Sequence, residues 1–196
     1  MRTALLTLHY QNDTIHREGR VRFAQAADDG ARAAFLAAAQ ALLKGARAKG
    51  VPVISVRIAF RPDYREVIQN SDLWRNVVAS GAMIEGSWGA AFHEGLGPEA
   101  GEFVITHQRN DAFHGTPLDS VLRGLGVTRL VIAGVATTYS VESTVRRAND
   151  LGYEVILVKD ACTQSSQPMH AASLAAMTLL ATVQSAALTI AGFGPP

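Results

Sequence analysis

The sequence has little cysteine, little excess charge and no long apolar run. Its 196 residues include one cysteine, Cys162, which excludes a framework of disulfides within the chain. Lys and Arg number 18 and Asp and Glu 17, so the formal net charge is +1, and no cluster of like charge stands out. Nucleic acid and anionic membrane surfaces are therefore not expected partners. No apolar stretch approaches the roughly 18 residues of a transmembrane helix.

The first residues, MRTALLTLHYQND, contain one basic residue and a very short apolar run before polar residues begin. This pattern predicts neither a signal peptide nor a membrane anchor, so we expect a cytoplasmic protein. A chain of this length fits one domain, residues 1–196, and buries roughly 70% of the surface that its unfolded form exposes. Its stability requires neither a disulfide nor a structural metal, and we expect no cofactor.

Short apolar runs alternate with helical patterns along most of the chain. Six near-continuous runs predict strands buried on both faces: Thr3–Leu8, Val51–Val56, Phe103–Thr106, Arg129–Ala133, Glu154–Val158 and Ala186–Ala191. Helices are predicted over about 31–49, from 117 onward, over about 139–151 and over about 168–182. The alternation indicates an α/β fold with a mainly parallel sheet covered on both faces. Ligand sites in such sheets lie at the carboxyl ends of the strands.

One long segment, Ala59 to Gly101, departs from this alternation. It contains both tryptophans, Trp74 and Trp88, among several glycines. An irregular insertion of this length inside a compact domain is usually functional. Each tryptophan either faces a ligand or anchors the loop to the core or to a subunit interface, and the sequence leaves both interpretations open.

Three polar residues stand where strands of the predicted sheet end. His9 follows the first strand, His107 follows the third, and Ser140 lies in GVATTYSVEST, at the turn that opens the helix after the fourth strand. Backbone amides at a helix start stabilise an oxyanion or a carbonyl oxygen. Serine is also an ordinary helix-capping residue, and spacing alone favours capping for Ser140.

Several motifs occur in an order that is similar to that of a known family. ALLTLHYQND lies at the first strand, FRPDY follows the second, and VITHQRNDAFHGTPLDSVLRGLGV and RLVIAGVATTYSVESTVRRANDLGYEVILVKDAC come after it. Together they resemble the isochorismatase-like, or cysteine hydrolase, superfamily, which includes nicotinamidases, N-carbamoylsarcosine amidohydrolases and isochorismatases. The resemblance implies a three-layer α/β/α fold with a six-stranded, mainly parallel sheet. It also implies assembly into a homodimer or homotetramer.

The catalytic residues of that superfamily are replaced here. Its amidase members have an Asp after the first strand, a Lys after the third and a nucleophilic Cys at the helix start, where this chain has His9, His107 and Ser140. The family's Asp-x-His metal site is missing as well, because residues 57–61 read RIAFR. We therefore expect no metal, and the family's thiol mechanism does not transfer to this chain.

The three replacements are consistent with a site that uses serine as the nucleophile and histidine as the base. A serine hydroxyl is far less acidic than a thiol and needs a better base than a carboxylate, and histidine is such a base. His9 would take the proton of Ser140 and return it to a leaving amine, while His107 orients His9, contacts substrate or acts as the acid. The resemblance further implies a cis peptide between Val135 and Ala136, with the amides of Ala136 and Ser140 forming an oxyanion hole.

Three functions remain open, each with a small molecule as the partner. The leading hypothesis is an amidohydrolase-type hydrolase of a small amide or related acyl compound. The second is a catalytically silent family member that acts as a ligand-binding or scaffold protein. The third is hydrolysis of an ether or enol ether with His9 as general acid. The candidate substrate-binding residues are four aromatic side chains and one basic one: Trp74, Trp88, Phe113, Tyr139 and Arg109.

A few further residues have candidate roles. Arg57, Arg61 and Arg109 either hold a substrate carboxylate or are solvated surface charges. Asp13, in YQND, is expected to hold the loop that follows the first strand. Cys162 lies away from the nucleophile position and is expected to be a small buried side chain.

Overall fold

The computed structural model describes residues 1–194 and confirms the α/β fold. Six parallel strands form one sheet in the order β3-β2-β1-β4-β5-β6. The strands are β1 (Thr3–Leu8), β2 (Val53–Ile58), β3 (Phe103–His107), β4 (Arg129–Val135), β5 (Glu154–Thr163) and β6 (Thr182–Gln184). Seven helices lie within these residues: α1 (Asn12–Ile15), α2 (Asp29–Ala48), α3 (Asp72–Ser80), α4 (Leu118–Gly124), α5 (Glu142–Asp150), α6 (Gln167–Met177) and α7 (Ala186–Ala191).

The central strand β1 explains why the apolar runs do not alternate with polar residues. Leu5 and Leu6 are both fully buried although they point to opposite faces of the sheet. Helices α4 and α5 contribute to the core on the face of Leu6, and α2 and α7 contribute to the core on the face of Leu5. A sheet covered on both sides favours apolar residues on both faces of each strand, which is the pattern that the sequence has.

The helices begin and bury their faces for local reasons. The carboxylate of Asp28 accepts a hydrogen bond from the amide of Ala31 (2.8 Å) and caps α2, whose buried stripe includes Phe35 and Leu42. This stripe packs on the sheet, as the 3.6-residue pattern predicts. Among residues 1–194, no helix combines the length and the apolar character that crossing a membrane requires.

The predicted sixth strand is wrong. Ala186–Ala191 form α7, and the sixth strand is the short segment Thr182–Gln184. The hydroxyl of Ser185 accepts a hydrogen bond from a first-turn amide and caps α7. Ile190 packs so closely on α2 that a Cβ added at Gly45 would lie 2.7 Å from its side chain. An apolar run of six residues fits a strand or a helix until its cap and its packing are known.

The long insertion is less irregular than predicted. It contains α3, which buries Trp74 and Val77 and ends at Gly81. Gly81 has a φ of 64°, the left-handed conformation that favours glycine after a helix. Both buried side chains belong to a cluster that borders the carboxyl edge of the sheet. The insertion therefore forms one wall of the region where a ligand site is expected.

Candidate active site

The parallel strands bring the three predicted polar residues to one edge of the sheet. His9 directly follows β1, and His107 is the last residue of β3, so the two meet across the end of β2, which lies between them. Ser140 lies beyond β4, on the other side of β1. All three side chains are buried, with exposed fractions of 2%, 3% and 5%. Sheet order, which sequence spacing does not reveal, decides which of them are in contact.

His9 is held in an unusual backbone conformation. Its φ is 54°, in the left-handed region that few residues other than glycine adopt. Its amide donates to the carbonyl of Val56 (2.9 Å), and its carbonyl accepts from the hydroxyl of Thr14 (2.6 Å). Conformations of this kind cost free energy, and they persist where the surrounding structure enforces them, often at functional sites.

The imidazoles of His9 and His107 face each other. Their Nε2 atoms are 2.5 Å apart, and Nδ1 of His107 lies 3.2 Å from the carbonyl oxygen of Asp111. Because a carbonyl only accepts, His107 carries its hydrogen on Nδ1, and neutral His107 presents a lone pair at Nε2. His9 therefore donates from Nε2, which leaves its own lone pair on Nδ1. Neutral His9 can act as a base only through Nδ1.

Burial keeps both imidazoles uncharged at neutral pH. Burial lowers the pKa of His107 to about 4, although the Asp111 carbonyl favours its protonated form. Burial, with a smaller contribution from His107, also holds the pKa of His9 well below the usual value of 6.5, and the Val135 carbonyl opposes this effect. A base that is neutral at pH 7 is available without any prior loss of a proton.

The buried histidine pair is expected to make the fold sensitive to acid. Unfolded histidine binds a proton below about pH 6.5, whereas native His107 does so only near a pKa of about 4. The free energy of unfolding therefore falls as the pH drops between these values, with His107 alone contributing about 3 kcal/mol. Urea unfolding at about pH 7 and about pH 4.5 measures the change.

His107→Gln is expected to weaken this pH dependence, because glutamine does not titrate. His93→Gln is the matched control, since His93 is partly exposed and its ring lies beside the carbonyl of Glu94. An equal loss of stability in acid for the wild type and His107→Gln would contradict the expectation.

Ser140 lies in a π-helical turn, Thr137–Val141, between β4 and α5. The carbonyl of Ala136 accepts hydrogen bonds from the amides of Tyr139 (3.1 Å) and Val141 (3.3 Å). Neither this turn nor α5 has a side-chain cap, so the interpretation of Ser140 as a capping residue is wrong. Its hydroxyl has no hydrogen-bond partner within residues 1–194, and Ser140 is one of the residues that line a cavity.

A side chain directly after β5 and one from α6 hold this turn in place. Oε1 of Gln164 accepts from the amide (2.9 Å) and the hydroxyl (2.6 Å) of Thr138. The hydroxyl of Thr137 lies 2.8 Å from Nδ1 of His170. The sequence analysis missed these residues. Gln164 could have been found from its position directly after β5, at the same edge of the sheet, but no sequence signal points to His170.

Two side chains of the YQND segment fix the loop after β1. The carboxylate of Asp13 accepts hydrogen bonds from the amides of Arg20 (3.1 Å) and Met83 (2.7 Å), as expected for a residue that holds this loop. The amide group of Gln11 donates to the carbonyl of Ile58 (2.8 Å) and accepts from the amide of the same residue (2.9 Å). Together they attach the segment after His9 to β2 and to the insertion.

A small cavity lies between His9 and Ser140. Its volume is about 30 Å³, and it is lined mostly by apolar side chains of β2, α3 and neighbouring loops. The lining residues are His9, Thr14, Val21, Phe23, Ala24, Ile58, Phe60, Leu73, Trp74, Val77, Met83, Asn110, Val135, Ala136, Tyr139 and Ser140. Trp74, Tyr139 and Ala136 thus lie where the sequence analysis expected them. Most of the apolar residues and Asn110 were missed, since they are far apart in sequence.

Two of the predicted substrate-binding aromatics do not line this cavity. Trp88 is half exposed, and its ring packs edge-on against that of His16, with ring centroids 5.0 Å apart. The Asn12 side chain donates a hydrogen bond to the backbone carbonyl of Trp88 and holds this part of the loop away from the cavity. Phe113 is buried in the core, where it stacks on Tyr153. An aromatic between a strand and a helix packs into the core more often than into a ligand site.

Arg109 is also absent from the cavity wall. Its guanidinium donates to the carbonyl of Ile68 (3.1 Å) and to Oδ1 of Asn70 (3.2 Å). It lies over the ring of Trp74, 5.0 Å from the centroid. These contacts fix Arg109 against the insertion, where it supports a cavity residue without reaching the cavity.

The remaining predictions near the site concern the peptide after β4, the single cysteine and a metal site. The peptide between Val135 and Ala136 is cis, as the resemblance implied. Burial raises the pKa of the Cys162 thiol to about 12, so it stays protonated at neutral pH and is a poor nucleophile. Within residues 1–194, no group of three or more His, Cys, Asp or Glu side chains lies together as a metal site would require.

Comparison with known proteins identifies the family. Residues 3–187 match the Isochorismatase domain. The ureidoacrylate amidohydrolase RutB of Methylobacterium radiotolerans is 38% identical over 143 residues, which are 66% of this chain and 55% of that protein. The RutB of Azorhizobium caulinodans is 33% identical over 175 residues, 83% of this chain and 77% of that protein. The matched segment thus spans little more than half of the Methylobacterium protein.

The solved structures agree with this match. A cysteine hydrolase from Pseudomonas syringae pv. phaseolicola superposes with a TM-score of 0.86 at 25% identity, over 97% of this chain and 91% of that chain. The sequence and the fold of this chain therefore match the same group of proteins. The sheet order, the cis peptide after β4 and the turn that carries Ser140 are features of this chain. The chain belongs to the isochorismatase family.

Proposed function

We propose that the protein hydrolyses a C–N bond of a small amide, with Ser140 as the nucleophile. The observation that carries the proposal is that Ser140, whose hydroxyl has no hydrogen-bond partner within residues 1–194, lines the same cavity as His9. The names of the relatives support the reaction class, because RutB proteins are described as ureidoacrylate amidohydrolases.

The first chemical step forms an acyl-enzyme. Oγ of Ser140 attacks the amide carbon while Nδ1 of His9 takes its proton. The Val135 carbonyl favours the protonated form of His9 and so stabilises the imidazolium, whereas His107 lowers the pKa of His9 and opposes this effect. The amides of Ala136 and Ser140 would stabilise the oxyanion. The C–N bond then breaks, and His9 returns the proton to the leaving nitrogen.

The second step regenerates the enzyme. Water attacks the acyl carbon and gives its proton to Nδ1 of His9, and the carboxylic acid leaves as Ser140 recovers the proton. His9 and Ser140 form no hydrogen bond in the free protein. Catalytic hydrogen bonds are often long or unformed without substrate, so this contact is expected to form when the substrate binds.

A ligand-binding protein without turnover is the second candidate. It is favoured by the Nε2 contact between His9 and His107, which directs His9 toward its histidine partner rather than toward Ser140. Ether hydrolysis by His9 as general acid has less support. Burial keeps the pKa of His9 well below 6.5, so few molecules carry the acidic proton at neutral pH.

Trapping the acyl-enzyme tests the proposal. A small activated ester is expected to acylate the protein once per chain, with the added mass on the tryptic peptide from residue 130 to residue 146, which contains Ser140. Mass spectrometry after an acid quench locates the group. The proposal fails if turnover of an ester or amide occurs with the acyl group on another residue. It also fails if no ester or amide is turned over, a result that favours the ligand-binding function.

A further inference from the structure

Among the residues that the structure describes, no Lys or Arg lines the cavity beside Ser140. The arginines that the sequence offered for a carboxylate are bound elsewhere. Arg57 contacts the carboxylate of Glu85 (3.0 Å), and Arg61 contacts that of Asp63 (3.1 Å). Arg109 is held by a backbone carbonyl and a side-chain amide of the insertion. None of the three cations is free to face a ligand in this cavity.

The polar groups of the wall are few, and they are neutral. The hydroxyl of Thr14 already donates toward the carbonyls of His9 (2.6 Å) and Gln11 (2.8 Å). The remaining lining residues with polar side-chain atoms are His9, Trp74, Tyr139, Ser140 and Asn110. Burial keeps His9 uncharged, so none of these side chains is a cation at neutral pH that would balance an anion, and Ser140 and Asn110 offer hydrogen bonds to one polar head group.

The rest of the wall is apolar and largely aromatic. Trp74 and Phe60 pack edge to face, with ring centroids 6.2 Å apart, and both are buried. Phe23 and Tyr139 form a second edge-to-face pair, at 5.2 Å, on the side of the π-helical turn. The enclosed volume of about 30 Å³ is far below that of a formed ligand pocket, so a ligand is expected to displace partly buried side chains such as Phe23.

From this lining we propose that the pocket takes a small uncharged molecule, with an apolar body against Trp74 and Phe60 and one polar head group at Ser140 and Asn110, and that it excludes carboxylates. A carboxylate in an apolar site without a cation loses its hydration and gains no ion pair. An acid such as ureidoacrylate would therefore fit this pocket poorly. The inference rests on the proposed function only in assigning the ligand as a substrate, because the binding preference does not require turnover.

A matched pair of ligands tests this preference. Benzamide and benzoate have nearly the same shape and differ in charge. The chain has two tryptophans, so in a Trp88→Phe background Trp74 is the only tryptophan that reports binding by fluorescence. We expect benzamide to bind at least about 10-fold more tightly than benzoate at neutral pH and constant ionic strength. Equal or tighter binding of benzoate overturns the proposal, as does the absence of benzamide binding up to about 50 mM.

A charge placed in the wall should change the preference. Leu73 lines the cavity and is partly exposed, so Leu73→Arg can add a guanidinium without burying it fully. This variant is expected to reduce the preference for benzamide over benzoate at least about 10-fold. Val78→Arg is the matched control on the same helix, since Val78 does not line the cavity. An unchanged preference in Leu73→Arg, or an equal change in both variants, contradicts the assignment of the pocket.

The outcomes for binding and for turnover are separate. If benzamide is preferred but no amide is hydrolysed, the binding inference stands and the proposed hydrolase function fails. If benzoate binds as well as benzamide while amides are hydrolysed at Ser140, the hydrolase function stands and the inference about charge fails.

Discussion

The Ser140→Ala variant is expected to lose at least about 10³-fold in kcat/KM toward any small amide that the wild type hydrolyses. The reason is that alanine has no atom that can form the acyl-enzyme, whereas the cavity, His9 and the backbone amides all remain. Because the hydroxyl of Ser140 has no hydrogen-bond partner within residues 1–194, its removal should leave the free energy of unfolding nearly unchanged. Steady-state kinetics and urea unfolding of the same preparation separate the two effects.

The controls for this variant distinguish the three functions. Ser120→Ala, at an exposed position of α4, controls for the same chemical change on the surface and should retain full activity. Benzamide binding should persist in Ser140→Ala with at most a modest loss, because only one of two head-group contacts is removed. Amide turnover that survives at the wild-type level would exclude Ser140 as the nucleophile and leave hydrolysis by His9 without a covalent intermediate.

Gly134→Ala is expected to destabilise the protein by about 3 kcal/mol or more. Gly134 lies in β4 beside Leu8 of β1, with a φ of 152° that residues with side chains rarely adopt. A Cβ at this position would lie 2.5 Å from both the carbonyl oxygen and the Cβ of Leu8. Backbone atoms of the central strand cannot move aside without shifting His9, the next residue, so we expect loss of stability together with loss of ligand binding.

The matched control for this variant is Gly124→Ala. Gly124 is the last residue of α4, and a Cβ there would meet no atom within 4 Å. Alanine at this position is expected to leave the protein as stable as the wild type or up to about 1 kcal/mol more stable. Urea unfolding measures both variants. A Gly134→Ala protein that unfolds at the wild-type urea concentration would show that β1 and β4 can separate locally without cost.

The strands and most helices follow from sequence because their signals are local. Thr3–Leu8 is apolar at four of its six positions, and its leucines pack on both faces of the sheet, as a strand covered on both sides requires. The stripe of α5, with Val145 and Ala148 buried and Glu142 paired to Arg146 at 2.8 Å, is also the one that helical spacing predicts. Ala186–Ala191 was assigned wrongly because a short apolar run has no period that separates a strand from a helix.

The candidate site was predictable only as far as it depends on strand ends. His9, His107 and Ser140 each follow or end a strand, and the carboxyl ends of parallel strands form one edge, so their convergence could be inferred. Gln164 has the same relation to β5 and was overlooked. Trp88 and Phe113 could not be assigned, because the direction of a loop side chain depends on contacts with residues far away in the sequence.

The sequence by itself determined the class of fold and the family resemblance, because these depend on residue type, local period and motif order. Only the tertiary structure decided that the Nε2 atoms of His9 and His107 are in contact, that Ser140 does not cap a helix, and that, among residues 1–194, no arginine lines the cavity. The physical reason is that hydrogen-bond partners, burial and pKa depend on which strand ends are neighbours in space, and the order of strands in a sheet is not encoded in any short stretch of the chain.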